Sequence, residues 1–408
     1  MPVKAIYVQK VARLHLVINF LFMKVLPASA SVLTLLTSTF LTFSPIKPVI
    51  LKANPPRDAK IQVAILLDVS NSMDGLIDQA KAQLWNMVSI MGRVKCEDGN
   101  PKIEIALYEY GRSTNDVKEG YVKQIRSFTS DLDQLSQDLF KLTTNGGDEY
   151  CGHVIHTSLN ELRWDSVSTN YKVIFIAGNE DFLQGDIVYT QSCTEAKRKG
   201  VIVNTIYCGD STQGIREHWN LGGECGSGSY TYINQDAKRE EIPTPYDSAL
   251  FVLNNKLNGT YLSYGYKGAK NFEMQAGVDV INMGLSKPVA AQRVAVKANK
   301  QLYNNSSWDM VDAYHGDTTF IANVDMKTLP DSLKNKTRGD LMQLVTAKSN
   351  ERTAIQKNII ALSSQRENYI LAEKAKRSAA TGKNTPTLET AIERIIRKQV
   401  KHYKMTVE

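Results

Sequence analysis

The sequence predicts an α/β fold, a doubly wound and mainly parallel sheet, with a mainly helical C-terminal extension. Three observations carry that prediction. Apolar runs of strand length alternate with segments of helical periodicity from residue 60 to residue 257, the order of a parallel sheet covered on both faces. The first run, Gln62 to Leu67, is continuously apolar after its first residue, as a strand buried on both faces requires. It ends in an acid, Asp68, followed at alternate positions by the hydroxyls of Ser70 and Ser72, and open α/β sheets bind ligands at the carboxyl ends of their strands.

Taken in chain order, the first segment speaks for export. Lys4, Lys10 and Arg13 precede an apolar stretch, Leu16 to Phe22, and Met23-Lys24 precede an uncharged run, Val25 to Phe43. Residues 1–45 therefore read as a signal peptide or a membrane anchor, with the start at Met1 or Met23 and a small-residue pattern at Ala28-Ser29-Ala30 for the Met1 reading. Pro45, Pro48, Pro55 and Pro56 mark residues 46–59 as a linker. The expected location is outside the cytoplasm: periplasmic, secreted, or anchored with the folded part exported.

After the first strand, Ile77, Ala80, Leu84, Met87, Val88 and Met91 recur at helical spacing and predict a helix from Leu76 to Met91. Further strands are expected at Lys102 to Tyr110, Tyr121 to Phe128, Lys172 to Ala177, Val201 to Tyr207 and Tyr230 to Ile233, with helices at Asp131 to Leu142, Val154 to Trp164 and Tyr246 to Leu257. One carboxylate with two small hydroxyls is poor equipment for phosphate, which wants glycines and backbone N–H groups, and suits a hard divalent cation instead. The competing reading is that Asp68 and Ser70 only cap the following helix.

Asp68-Val69-Ser70-Asn71-Ser72 resembles the metal-ion-dependent adhesion site of von Willebrand factor A domains, whose pattern is Asp-x-Ser-x-Ser after the first strand. The resemblance extends over residues 60–257. The wording of Asp74 to Val88, Leu142 to Gly152, Ile174 to Phe182 and Val203 to Asp210 is similar to exported bacterial members of that family. It implies two further metal-site loops. In the second the family usually has a Thr after a glycine pair, and here Gly146-Gly147 is followed by Asp148. In the third an Asp usually follows the fourth strand, and here Gly178 stands in that place, with Glu180 and Asp181 two and three residues later. The expected ligand set is Asp68, Ser70, Ser72, Asp148, Glu180 and Asp181 around Mg²⁺ or Mn²⁺, the third-loop acids acting through water. Plain turn chemistry is the alternative for both loops.

At 408 residues with 42% apolar residues the chain is long enough for two domains or one domain with a sizeable extension, and its net charge of +7 is spread along it. Without an aromatic RNA-binding signature or zinc-finger spacing, that charge does not argue for nucleic acid. The five cysteines form no Cys-x-x-Cys pair. In an oxidising compartment some should bridge, and Cys208 with Cys225 is the expected pair, because both flank one short excursion between two strands. Cys151 with His153 and His156 carries no further acid motif and is not read as a metal cluster.

Residues 258–408 form the extension. An aromatic, Gly-bearing turn, Thr260 to Tyr266, leads into helical patterns at Val289 to Leu302 and Leu341 to about Ala379. In the second, Ile355, Ile359, Leu362 and Tyr369 share a stripe with Lys348, Arg352 and Arg366, which argues against a continuous coiled coil and for a hairpin packed on the domain or a projecting stalk. A break at Ala379 to Pro386 precedes a last amphipathic helix with Leu388, Ile392, Ile395 and Ile396.

The functional expectation is a metal-dependent binding module, not an enzyme, that captures a carboxylate-bearing ligand or a partner protein. A metal-assisted hydrolase would need a general base beside the metal, for which Glu149, Glu180 and His153 are candidates. A structural protein with an inert metal site, acting through its helical tail, is the third reading. Membrane contact is expected only through an uncleaved N-terminal anchor.

Overall fold

A computed structural model describes residues 59–97, 99–234, 241–381 and 388–408. The expected signal or anchor segment, and all of the linker but Ala59, lie outside the described residues. The strands are β1 (Lys60–Asp68), a short β2 (Val94–Lys95), β3 (Lys102–Tyr110), β4 (Lys123–Thr129), β5 (Tyr171–Gly178), β6 (Ile202–Cys208), β7 (Ser227–Ile233) and a short β8 (Thr406–Val407). Six of them form one sheet in the order β4-β3-β1-β5-β6-β7, parallel except for β4. This is the doubly wound order in which the chain starts at the centre, builds one half, then crosses back to build the other. The switch point falls between β1 and β5, at Asp68.

Both faces of β1 are covered, which its continuous apolar run requires. On one face Ile61, Val63, Ile65 and Leu67 pack against α1 (Asp74–Gly92) and α2 (Leu132–Lys141). The predicted stripe of α1, Ile77 to Met91, is buried there as expected. On the other face Ala64 and Leu66 meet α3 (Cys151–Glu161), while β5 and β6 meet α4 (Tyr189–Lys199), the short α5 (Ser211–Arg216) and α6 (Trp219–Cys225). Helices α4 to α6 are not expected from the sequence, because their polar stretches carry little apolar periodicity.

Helix α7 (Asp247–Asn258) follows β7 as expected, and the extension comprises α8 (Gly268–Leu285), α9 (Lys287–Lys297), α10 (Met310–Gly316), α11 (Phe320–Asn323), α12 (Asp331–Lys334), α13 (Arg338–Thr381) and α14 (Leu388–Gln399). The described residues make one compact unit, and the reason is visible in the core. Val278, Val289 and Val294 of α8 and α9, and Leu388, Ile392, Ile395 and Ile396 of α14, belong to the same apolar cluster as Leu67 and Leu84. After α14 the chain adds β8 antiparallel to β2. Helix α13 is one element of 44 residues, packed on α7, α9 and α10. The arginines that interrupt its stripe are buried and paired: Arg352 bonds Asp309 and Asp312 at 2.6 and 2.8 Å, and Arg366 bonds Asp247 at 2.8 Å. Met310, Val311, Ile321, Leu341 and Val345 form a separate small cluster beneath α10 to α12.

Among the described residues no helix is long and apolar enough to cross a membrane.

Candidate metal site at the sheet edge

The register of the central strands brings three positions to one level. Asp68 stands opposite Tyr110 on β3, and Leu67 stands opposite Ala177 on β5, so Gly178 follows beside Asp68. The Asp68 carboxyl is fully buried. Its Oδ1 accepts from the Ser70 backbone N–H at 2.8 Å, and its Oδ2 has no hydrogen-bond partner. The Asn179 backbone N–H also favours the charged form of this carboxyl. Neither Ser70 nor Met73, which open the helical turns that follow, caps them with its side chain. The capping reading of Asp68 and Ser70 therefore fails. The Ser70 and Ser72 hydroxyls lie 3.4 Å apart, and Ser72 exchanges hydrogen bonds with the Asn179 amide at 3.2–3.3 Å.

The second loop is held against the ends of β1 and β3 by main-chain bonds, Asn145 N–H to Val69 O and Ser113 N–H to Gly146 O, both 2.8 Å. At Gly147 a Cβ would stand 2.6–2.8 Å from the backbone of Gly111 to Ser113, so only glycine permits this approach. With the loop pinned there, the acid that turns inward is Glu149, not Asp148. Glu149 is 8% exposed, while Asp148 is exposed and accepts from the Tyr150 hydroxyl at 3.3 Å. The point where a Cβ on Gly111 would stand is 2.9 Å from Asp68 Oδ1 and 3.0 Å from Glu149 Cγ. The two acids share one small space, and the Ser70 side chain lies close enough to act on Glu149 as well. The sequence places Asp148 among the expected ligands; the structure puts Glu149 in that position.

The third loop supplies less than expected. A Cβ on Gly178 would lie 2.5 Å from the Tyr110 hydroxyl and 3.0 Å from Asp68 Oδ2. The family's aspartate is missing because Tyr110, which donates to Ala177 O at 3.0 Å, fills its space. Glu180 is exposed and close enough to act electrostatically on Asp68 and Glu149. Asp181 turns away: it pairs with His218 at 3.0 Å and accepts from the Leu183 N–H at 2.9 Å. Of the six expected ligands, the fold thus gathers Asp68, Ser70, Ser72 and Glu180. It excludes Asp148 and Asp181, and it adds Glu149 and Asn179.

The crowding of buried acids is written in the titration of the site. Desolvation pushes the Asp68 carboxyl up to about 7, with Glu180 adding to it. The Glu149 carboxyl is pushed up to about 8, first by desolvation, then by Asp68 and Glu180. Two carboxyls, two hydroxyls and an amide oxygen are an all-oxygen donor set of the kind hard divalent cations take, and the orphaned Asp68 Oδ2 fits that role. Among the described residues no three His, Cys, Asp or Glu side chains converge as a metal cluster, so the hydroxyls are needed to complete a shell. His153 is not part of the site; its ring packs on Gly120.

The expected Cys208–Cys225 bridge does not form; all five cysteines are thiols. Cys208 points to the α1 face of the sheet, in the cluster of Leu67 and Ile206. Cys225 ends α6 on the opposite face, where its thiol lies near that of Cys193. The sheet lies between the two expected partners.

No protein-family model matches the sequence, and no curated protein matches it. Among solved structures, the chain is similar to proximal thread matrix protein 1 from the mussel byssus with a zinc-occupied MIDAS motif, at 14% identity and TM-score 0.33 over 44% of this chain and 43% of that one. It is similar at 13% identity to BatB from Bacteroides thetaiotaomicron, TM-score 0.33, over 42% of this chain and 90% of that one. It is similar at 14% identity to the SpRpn10 VWA domain, TM-score 0.33, over 44% of this chain and 91% of that one. The chain spans less than half the length of the mussel protein. Its own strand order, with Asp68, Ser70 and Ser72 at the switch point, gives this chain the von Willebrand factor A fold.

Proposed function

We propose that the carboxyl edge of the sheet holds one divalent cation, Mg²⁺ or Mn²⁺, and that the protein is a metal-dependent binding module for a carboxylate-bearing ligand. The observation that carries this reading is the buried, unpartnered Asp68 Oδ2 beside a second buried acid, Glu149. An arrangement of that kind is costly unless a cation completes it. Asp68 and Glu149 would hold the ion with Ser70 and Ser72, Asn179 would orient Ser72, and Glu180 would act through water. The cation would supply charge compensation and an open position for a ligand oxygen.

Two acids at the metal raise the site's negative charge, so it should keep its cation without a ligand and pull less strongly on an anionic one. Binding is favoured over hydrolysis because Glu149, the best placed general base, is committed to the metal position. His153 is turned towards Gly120.

Isothermal titration of the full chain with Mg²⁺ and Mn²⁺ tests the reading. Asp68→Ala should abolish binding and Glu149→Gln should weaken it at least tenfold, whereas Asp148→Asn should leave it within about twofold, since losing a direct carboxylate outweighs losing a distant one. No uptake at millimolar metal, or equal loss in the Asp148 and Glu149 variants, would overturn it.

A further inference from the structure

Beneath the third loop two cysteines from different helices face one another. Cys193 lies in α4, buried, with its Sγ 3.9 Å from the Gly222 carbonyl of α6. Cys225 ends α6 one turn beyond Gly222, is partly exposed, and lies close enough to act on the Cys193 thiol. The surroundings are close-packed and tied to the candidate metal site. A Cβ on Gly222 would run into the Phe182 ring. Phe182 in turn packs edge-on against Tyr189 at the start of α4 and Trp219 at the start of α6, with ring centroids 5.9 and 5.2 Å apart. The Trp219 indole donates to the Glu180 carbonyl at 2.7 Å, and the Phe182 N–H donates to the Glu217 carbonyl at 2.9 Å.

We propose that Cys193 and Cys225 are a redox pair whose disulfide staples α4 to α6 and fixes the loop that carries Asn179 and Glu180. The remaining cysteines offer no rival pairing. Cys208 is on the other face of the sheet, Cys151 is buried against Tyr110, and Cys96 caps its own turn through the Gly99 carbonyl.

The chemistry is thiol–disulfide exchange with a small-molecule disulfide such as oxidised glutathione. The partly exposed Cys225 thiolate attacks one sulfur of that disulfide and expels one glutathione thiolate. The Cys193 sulfur, losing its proton to solvent, then attacks Cys225 and expels the second glutathione. One S–S bond is broken and one formed; the protein pair loses two electrons and the oxidant gains them as two thiols. Burial pushes the Cys193 thiol well up, which makes it the resolving partner and the second step the slow one.

The test uses the full chain equilibrated with oxidised glutathione and, separately, with dithiothreitol. Thiol titration in denaturant should find five thiols in the reduced protein and three in the oxidised one, and non-reducing peptide mapping should yield one cross-linked pair joining Cys193 to Cys225. Oxidation should raise the thermal midpoint of the parent and of Cys96→Ser, and leave Cys225→Ser unchanged. Five free thiols after oxidation, persistent glutathione adducts on Cys225, or a cross-link between any other two cysteines would overturn the proposal. Peptide mapping is done on the parent chain, so it decides the matter even if a variant folds poorly.

Discussion

Replacing Arg293 with methionine tests whether the helical extension and the sheet unfold as one body. Arg293, on α9, is 1% exposed; it donates to Asp133 of α2 at 2.6 Å, to Asp279 of α8 at 2.6 Å and to the Gln275 carbonyl at 3.1 Å. Its guanidinium also lies 4.6 Å from the ring centre of Trp85 on α1. One side chain thus joins the extension to two helices of the α/β part. Methionine keeps the packing volume and removes the charge. Asp279 retains Lys297, Asn254 and Asn258, so the cost falls on Asp133, which is buried and left with the Tyr303 hydroxyl. Breaking a buried pair from one side costs about 3–5 kcal/mol. Adding Asp133→Asn to the Arg293→Met variant should recover roughly 1–3 kcal/mol, because the stranded charge is then gone. Guanidinium unfolding, followed by far-ultraviolet circular dichroism and by tryptophan fluorescence, is the assay. Coincident transitions that move together are expected. A loss below about 1 kcal/mol, or a helical transition that shifts while the fluorescence transition stays, would refute the shared-core reasoning.

Three further outcomes are expected. Asp68 and Glu149 have folded values near 7 and 8, above their unfolded ones, so the metal-free native state holds extra protons from about pH 4 to 8 and loses stability as pH rises through that window. Millimolar Mg²⁺ should therefore raise the thermal midpoint clearly at pH 8 and hardly at pH 5.5, and a pH-independent shift would contradict the assignment. Gly178→Ala should destabilise by about 1–3 kcal/mol through its clash with the Tyr110 hydroxyl; Tyr110→Phe should relieve part of that in the double variant, and strictly additive losses would show that the hydroxyl is not the obstacle. Ile395→Ala, at a residue 3% exposed in the core shared with β1, should cost about 2–5 kcal/mol, measured by the same denaturation; a loss under about half a kcal/mol would mean that α14 is not part of the core.

The strands of the main sheet with helices α1 to α3, the two-sided burial of β1 and the position of Asp68 at the strand end were legible in the sequence. Each is set by local periodicity or by the abrupt change from apolar to polar residues. The buried stripe of α1 and the last amphipathic helix were legible for the same reason. What the sequence could not assign was the direction of side chains in loops. Glu149 rather than Asp148 enters the site because main-chain bonds from Asn145 and Gly146 to distant strand ends fix the loop's path, and Asp181 leaves it because it hydrogen-bonds His218, far along the chain. Gly178 reads as a missing ligand until Tyr110, from the neighbouring strand, is seen to fill the space. The cysteine partners were likewise decided by which face of the sheet each side chain leaves. The sequence by itself determined most of the elements and the charge-bearing strand end, since these depend on residues a few positions apart; the tertiary structure decided which acids face that strand end, which face of the sheet each thiol occupies and the union of extension and sheet, since these depend on contacts between residues tens to hundreds of positions apart.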